Sequence, residues 1–280
     1  MSFAIDLTVT TDVLGRFHRK LMKRRGGLDW ASFDASAYDP KLVDNARQQW
    51  AGRSLAEYQS TSQFSQLLHR LALVGAPLEL IGAATRLVTD ECRHAELCAR
   101  MADVLGGRDG FIVPADSLSL FDAETDPWVA IYRTVLSVCC FGETLSVPML
   151  DAIATVATAP LAQAVAEIIA ADEEYHSTYG WELLTWLTPR LTGEQRDKVG
   201  SRLPLVMGQF ERACGAGPAI LETLAGTEIT VEHGAPNLGT LSNLQYAAIF
   251  YHAMETTIFP GLETLGFDAH GAWEQRVIPA

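Results

Sequence analysis

The sequence predicts an all-α fold built from paired helical hairpins. Three observations carry this expectation. Apolar residues recur at helical spacing over most of the chain, with no convincing run of strands. The breaks between periodic stretches carry helix start and stop residues. One acid–histidine pattern occurs twice, in TDECRHAELC (89–98) and ADEEYHSTYG (171–180).

The first fifty residues read as irregular or short-helical, broken at Gly26-Gly27 and Asp39-Pro40, and the basic run RFHRKLMKRR (16–25) reads as a solvated arm or helix face. A first long helix is expected from about Lys41 to Val74, closed by Gly75-Ala76-Pro77. A second runs to about Leu105 and stops at Gly106-Gly107. Residues 106–126 form a long connection. Asp126 caps a third helix with Pro127 at its first position, ending near 155–160. A fourth spans about Leu161 to Trp186. Beyond it the pattern predicts a fifth helix over 192–214, a Gly-rich loop over about 215–240, and a sixth helix over 241–265, kinked or ended at Pro260. The chain is expected to form a single domain over 1–280, with residues 191–280 as a helical extension packed on the bundle of about 45–190.

With 280 residues, 48% of them apolar, the chain can bury a large core. Its net charge of -13 argues against a nucleic-acid or anionic-membrane partner, because phosphates call for excess Lys and Arg. The N-terminal residues lack a signal-peptide pattern, and no apolar run reads as long enough to cross a bilayer. The five cysteines form no CxxC pair, and the adjacent Cys139 and Cys140 read as buried thiols. The expected setting is soluble and cytoplasmic.

In the repeated pattern, Asp90, Glu91 and His94 match Asp172, Glu173 and His176 in type and spacing. Residues three apart on a helix lie on one face about 4.5 Å apart along the axis, so each Glu–His pair converges on one point. The face of Glu91 also carries Ala84, Leu87, Val88, Ala95 and Cys98; that of Glu173 carries Val165, Ala166, Ile169 and Gly180. Both motifs therefore point into a core. A buried carboxylate without a compensating charge costs several kcal/mol, and a metal ion supplies that charge. Glu143 stands alone among apolar residues of the third helix, between Asp126 and Asp151, as Glu57 does on the first between Asp44 and Glu79. Glu57 lies 18 residues before Gly75 and Glu91 lies 16 after it; Glu143 and Glu173 each lie 15 from Thr158. Each hairpin thus brings its carboxylates level, about 22–27 Å from its turn at 1.5 Å per residue.

As a set, Glu57, Glu91-x-x-His94, Glu143 and Glu173-x-x-His176 resemble the six-ligand signature of ferritin-like di-iron carboxylate proteins, over about residues 45–190. The resemblance implies a four-helix bundle with a long crossover between its second and third helices, holding two Fe ions, with a Mn/Fe pair also open. It implies that Glu91 and Glu173 bridge the metals, that Glu57 and Glu143 are terminal ligands, and that each His binds one metal. Asp90 is expected to hold His176, and Asp172 to hold His94, across helices. The implied activity is O2-dependent oxidation of a small organic substrate by hydroxylation, N-oxygenation or desaturation, with an electron-donor protein and a homodimer as further expectations. The alternatives are a rubrerythrin- or ferroxidase-like centre that reduces peroxide or O2, and a metal-binding bundle with a structural or interaction role. A ferritin cage needs a shorter chain, ordinary rubrerythrins a CxxC pair, and a transfer-RNA hydroxylase a less acidic surface. The arylamine N-oxygenase branch has the same ligand order but adds a His one turn before the fourth-helix Glu; Ile169 stands there, a departure from that branch.

Several other residues invite a reading. Ser146, one turn past Glu143, could hydrogen-bond an oxygen species, and Tyr58 and Tyr175 adjoin ligands and could relay electrons. Glu174 is expected to face outward. His252 and Glu255 are weighed as lining the pocket mouth, whereas His18 and His69 read as ordinary polar positions.

Overall fold

The computed structural model describes residues 2–8, 10–22, 27–118, 123–226 and 235–277. Parts of the basic run (23–25), of the long connection (119–122) and of the Gly-rich stretch (227–234) lie outside these residues.

Four long helices make the body. After α1 (Asp12–Met22), they are α2 (Pro40–Leu73), α3 (Leu78–Val104), α4 (Pro127–Val156) and α5 (Pro160–Leu187). Asp39 caps α2 by accepting from the Lys41 amide at 2.8 Å, and Asp126 caps α4 by accepting from the Trp128 amide at 2.9 Å. Gly75 turns α2 into α3 at a φ of 66°, a backbone that favours glycine. The hairpins α2–α3 and α4–α5 pack on each other through α3 against α5 and α2 against α4. Residues 105–126 cross between them, which makes this the bundle with a long second connection that the ligand pattern implies.

The elements differ from the sequence expectation in five places. Ser2–Phe3 pairs antiparallel with Val113–Pro114, a short clip where no strand was expected. Residues 192–214 are two helices, α6 (Gly193–Gly200) and α7 (Leu203–Ala213), because the chain turns at Ser201-Arg202 and restarts with Pro204 in its first turn. The stretch expected to be loop holds α8 (Pro218–Gly226). Pro260 neither ends nor breaks the last long helix: α9 (Asn243–Ala253) passes through a π-helical turn at Met254–Ile258 into α10 (Phe259–Thr264). The widened turn falls where Pro260 supplies no N–H and its ring would meet the carbonyl one turn back, so the winding changes and the helix runs on. Finally, α4 is by length and composition apolar enough to cross a membrane, which the sequence reading excluded. Its 18-residue apolar window is 61% buried in the bundle, as a central helix of a helical core requires. A last short helix, α11 (Ala269–Glu274), packs on α7.

Within α4, residues Leu136–Glu143 are π-helical. A π-helical turn accommodates an extra residue and shifts the register of the helix beyond it, here setting the direction of Glu143. The segment packs against α5 at Gly180, where a Cβ would fall 2.2 Å from Cys139 Cβ. Only glycine permits so close an approach.

Candidate metal centre

Each hairpin supplies ligand-type side chains at mid-height, and the four helices enclose them. Glu91, His94, Glu173 and His176 are fully buried, and Glu57 and Glu143 are 6% exposed. The apolar faces predicted around the motifs are buried at Ala84, Leu87, Ala95, Cys98, Val165, Ala166, Ile169 and Gly180; Val88 is half-buried.

The six side chains form two groups. One joins Glu57, Glu91, His94 and Glu173; the other joins Glu91, Glu143, Glu173 and His176. Within each group one ligand-type atom per residue lies within 4.8 Å of the others. Glu91 and Glu173 belong to both, so two cations placed here would share two carboxylates. His94 Nδ1 lies 3.3 Å from Glu173 and 3.8 Å from Glu57; His176 Nδ1 lies 2.9 Å from Glu91 and 3.1 Å from Glu173. These contacts miss hydrogen-bond geometry. Both oxygens of Glu91 and of Glu173, and the Nδ1 atoms of both histidines, are buried with no hydrogen-bond partner. Converging oxygens and imidazole nitrogens with nothing between them suit divalent first-row metals, so the residues present could hold two.

Electrostatics point the same way. Burial, then repulsion from Glu91 and Glu173, pushes the Glu57 carboxyl well above its usual range. Burial and Glu173 do the same to Glu143. Against burial, His176 and His94 hold Glu173 well below the usual carboxylate range. His94 is pushed up to about 10: burial opposes this, but Asp172 and Glu173 outweigh it. His176 is raised as well, by Asp90, Glu173 and Glu91 against burial. The crowding that favours protons on Glu57, Glu143 and the two histidines would equally favour cations between them.

Behind the histidines, Asp172 lies 3.5 Å from His94 Nε2 and Asp90 lies 3.5 Å from His176 Nε2, each across helices. Both aspartates are buried. Two arginines that the sequence reading missed neutralise them. Arg93, 3% exposed, donates to Asp172 and to Asp90 at 2.5 Å each. Arg86 donates to Asp90 at 3.0 Å and to Asp172 at 3.4 Å. A signal existed: two buried aspartates facing each other need a cation, and Arg93 stands in one motif where Tyr175 stands in the other.

Glu57 and Glu143 open onto a cavity of about 600 Å³. One wall is an α2 stripe: Gln49, Arg53, Ala56, Ser60 and Gln63. The facing wall is α4, at Ser137, Gly142 and Ser146, and the C-terminal helices close it with Phe210 and Tyr246. Arg53, one turn before Glu57 and 3.4 Å from the Tyr246 hydroxyl, is the one cation among the described lining residues.

The remaining singled-out residues fall elsewhere. Tyr58 packs edge-on against Phe3 and lines a separate cavity of about 360 Å³ beneath α1. Tyr175 lies edge-on to His176 beneath Arg86, whose guanidinium carbon is 4.0 Å from the ring centroid. Glu174 is exposed, as expected, and so are His69, His252 and Glu255, none of which lines the cavity at Glu57 and Glu143. His18 pairs with Glu96 at 2.5 Å.

The sequence profile of the family described as P-aminobenzoate N-oxygenase AurF matches residues 77–219, which is 143 of the 280. No curated protein and no solved structure matches the chain. The family match removes Ile169 as an argument against the arylamine branch: the residue is a fully buried departure inside that branch and not a mark against membership.

Proposed function

Because the chain belongs to the P-aminobenzoate N-oxygenase AurF family, we propose that it oxygenates the nitrogen of an organic amine at two metal ions held by Glu57, Glu91, His94, Glu143, Glu173 and His176. The observation that carries this reading is that two groups of acids and imidazoles, sharing Glu91 and Glu173, open through Glu57 and Glu143 onto a substrate-sized cavity. Iron, alone or paired with manganese, supplies the redox change and the open positions that dioxygen needs. The balance is RNH2 + O2 + 2 electrons + 2 protons giving RNHOH + H2O, with the electrons brought by an electron-carrier protein.

The chain's own groups do the rest. Glu91 and Glu173 belong to both groups and would be shared by two cations, and the histidines would offer Nδ1 because Asp172 and Asp90 sit behind Nε2. Arg93 keeps those aspartates ionised, and ionised aspartates keep the imidazoles oriented. Phe64, fully buried and edge-on to His176, helps to keep water from the cage on its inner side. On the open side, Arg53 pairs with an anionic group of the substrate.

The test is anaerobic loading with ferrous iron, then O2 and a panel of arylamines, with product mass as readout. A product heavier by one oxygen atom, lost in Glu143→Ala while the helical spectrum stays, is the expected result. Oxygen uptake that no amine changes would contradict it.

A further inference from the structure

The surface of the cavity is mostly apolar, yet polar side chains stand along it that a bare aromatic ring would leave without partners. Pockets for small ligands are lined predominantly by apolar and aromatic side chains. Here the lining includes Gln48, Gln49, Gln59 and Gln63 with Ser60, Ser137 and Ser146, and its aromatic residues are Phe210 and Tyr246. Gln59 is spent on Ser117 at 2.8 Å and Gln48 on Asp44 at 2.8 Å. By contrast, the side chains of Ser60, Gln63, Ser137 and Ser146 make no hydrogen bond to a described residue. The α2 wall runs from Gln48 to Gln63, about 22 Å at 1.5 Å per residue, with Glu57 near its middle. A single ring would fill a fraction of that length. The small residues Ala56 and Gly142, beside Glu57 and Glu143, leave the floor accessible from both directions.

Resting on the oxygenase reading, we infer that the substrate is an elongated amine conjugate, in which a body bearing amide or hydroxyl groups extends beyond the amine-bearing ring and carries an anionic group. The reacting nitrogen lies at the Glu57–Glu143 floor. The polar body lies along the α2–α4 groove, hydrogen-bonded to the unspent serines and Gln63. Its anion pairs with Arg53.

The test compares aniline, p-aminobenzoate, p-aminobenzoyl-glutamate (amide body) and a 4-aminophenyl glycoside bearing a carboxylate (hydroxyl body). Binding is measured to the ferrous protein without O2, and turnover with O2. The inference expects a conjugate to bind at least tenfold tighter than p-aminobenzoate, and the preferred arm identifies the kind of body. It expects Gln63→Leu to cut the conjugate-to-aniline affinity ratio at least threefold, and Ala56→Leu to cut it further. Equal or tighter binding of p-aminobenzoate, or a ratio unmoved by both variants, would overturn it. Turnover separates the two readings. If a conjugate binds with these sensitivities and is not oxygenated, the oxygenase reading fails, and what stands is the groove's preference for an elongated polar ligand. If p-aminobenzoate is oxygenated and binds best, the reverse holds.

Discussion

Arg93 shows how much of a candidate metal centre lies outside the residues that could hold the metals. It is 3% exposed and joins Asp90 to Asp172, each of which stands behind a histidine of the opposite hairpin. Removing one partner of a buried charge network leaves the others unpaired, at a cost of about 3–5 kcal/mol. Arg93→Ala is therefore expected to lower thermal stability by that order and to weaken metal binding at both histidines. Arg93→Lys restores charge but not two separate forks, and should recover only part of the loss. Calorimetry with a metal titration checks both; an Arg93→Ala protein that melts and binds like the parent would contradict the assignment. The six acids and imidazoles were legible in the sequence because each acid sits alone or in a local repeat on an apolar helical face. Arg93 and Arg86 were not, because what they neutralise is assembled from two hairpins, and a basic residue beside an acidic one on a helix is usually a surface pair.

Among the elements, the π-helical stretch Leu136–Glu143 does most to shape the site, and nothing in the residue pattern signals it. Its apolar run is compatible with an ordinary α-helix, and the choice is made by packing against α5, where Cys139 meets Gly180. Gly180→Ala puts a Cβ where Cys139 already stands. Such overpacking costs about 1–3 kcal/mol and moves the segment that aims Glu143. The expected outcome is a melting point lower by several degrees, with metal binding weakened selectively in the group that contains Glu143. Unchanged metal binding would mean that the π-helical turns do not set Glu143. Caps and breaks, by contrast, were readable: Asp39-Pro40, Gly75, Gly106-Gly107 and Asp126-Pro127 all stand where helices begin or end. The break before Pro204 was not read at all, and Pro260 is compatible with an end or with a change of winding, a choice that the residue pattern does not make.

At the scale of the whole molecule, the cage links stability to pH. In the metal-free fold, Glu57, Glu143, His94 and His176 are all raised. The folded chain therefore binds more protons than the unfolded one, and stability falls as pH rises. The histidine contribution is complete below about pH 6.5, the unfolded value, and is lost as pH rises through about 10 for His94. Asp90, Asp172 and Glu173 are lowered and act oppositely, their contribution being lost in acid as pH falls through their depressed values. Cations replace the protons, so metal binding strengthens with rising pH. The melting-point gap between ferrous-loaded and metal-free protein should widen between about pH 6 and 8.5, and a constant gap would contradict the linkage. The central claim is that four carboxylates and two imidazoles form two cation sites sharing Glu91 and Glu173. Anaerobic titration with ferrous iron, read by equilibrium binding and Mössbauer spectroscopy, tests it most directly. The account predicts two ferrous ions per chain, and one in Glu143→Ala. Binding of fewer than two by the parent chain, or of two with identical spectra by Glu143→Ala, would contradict it.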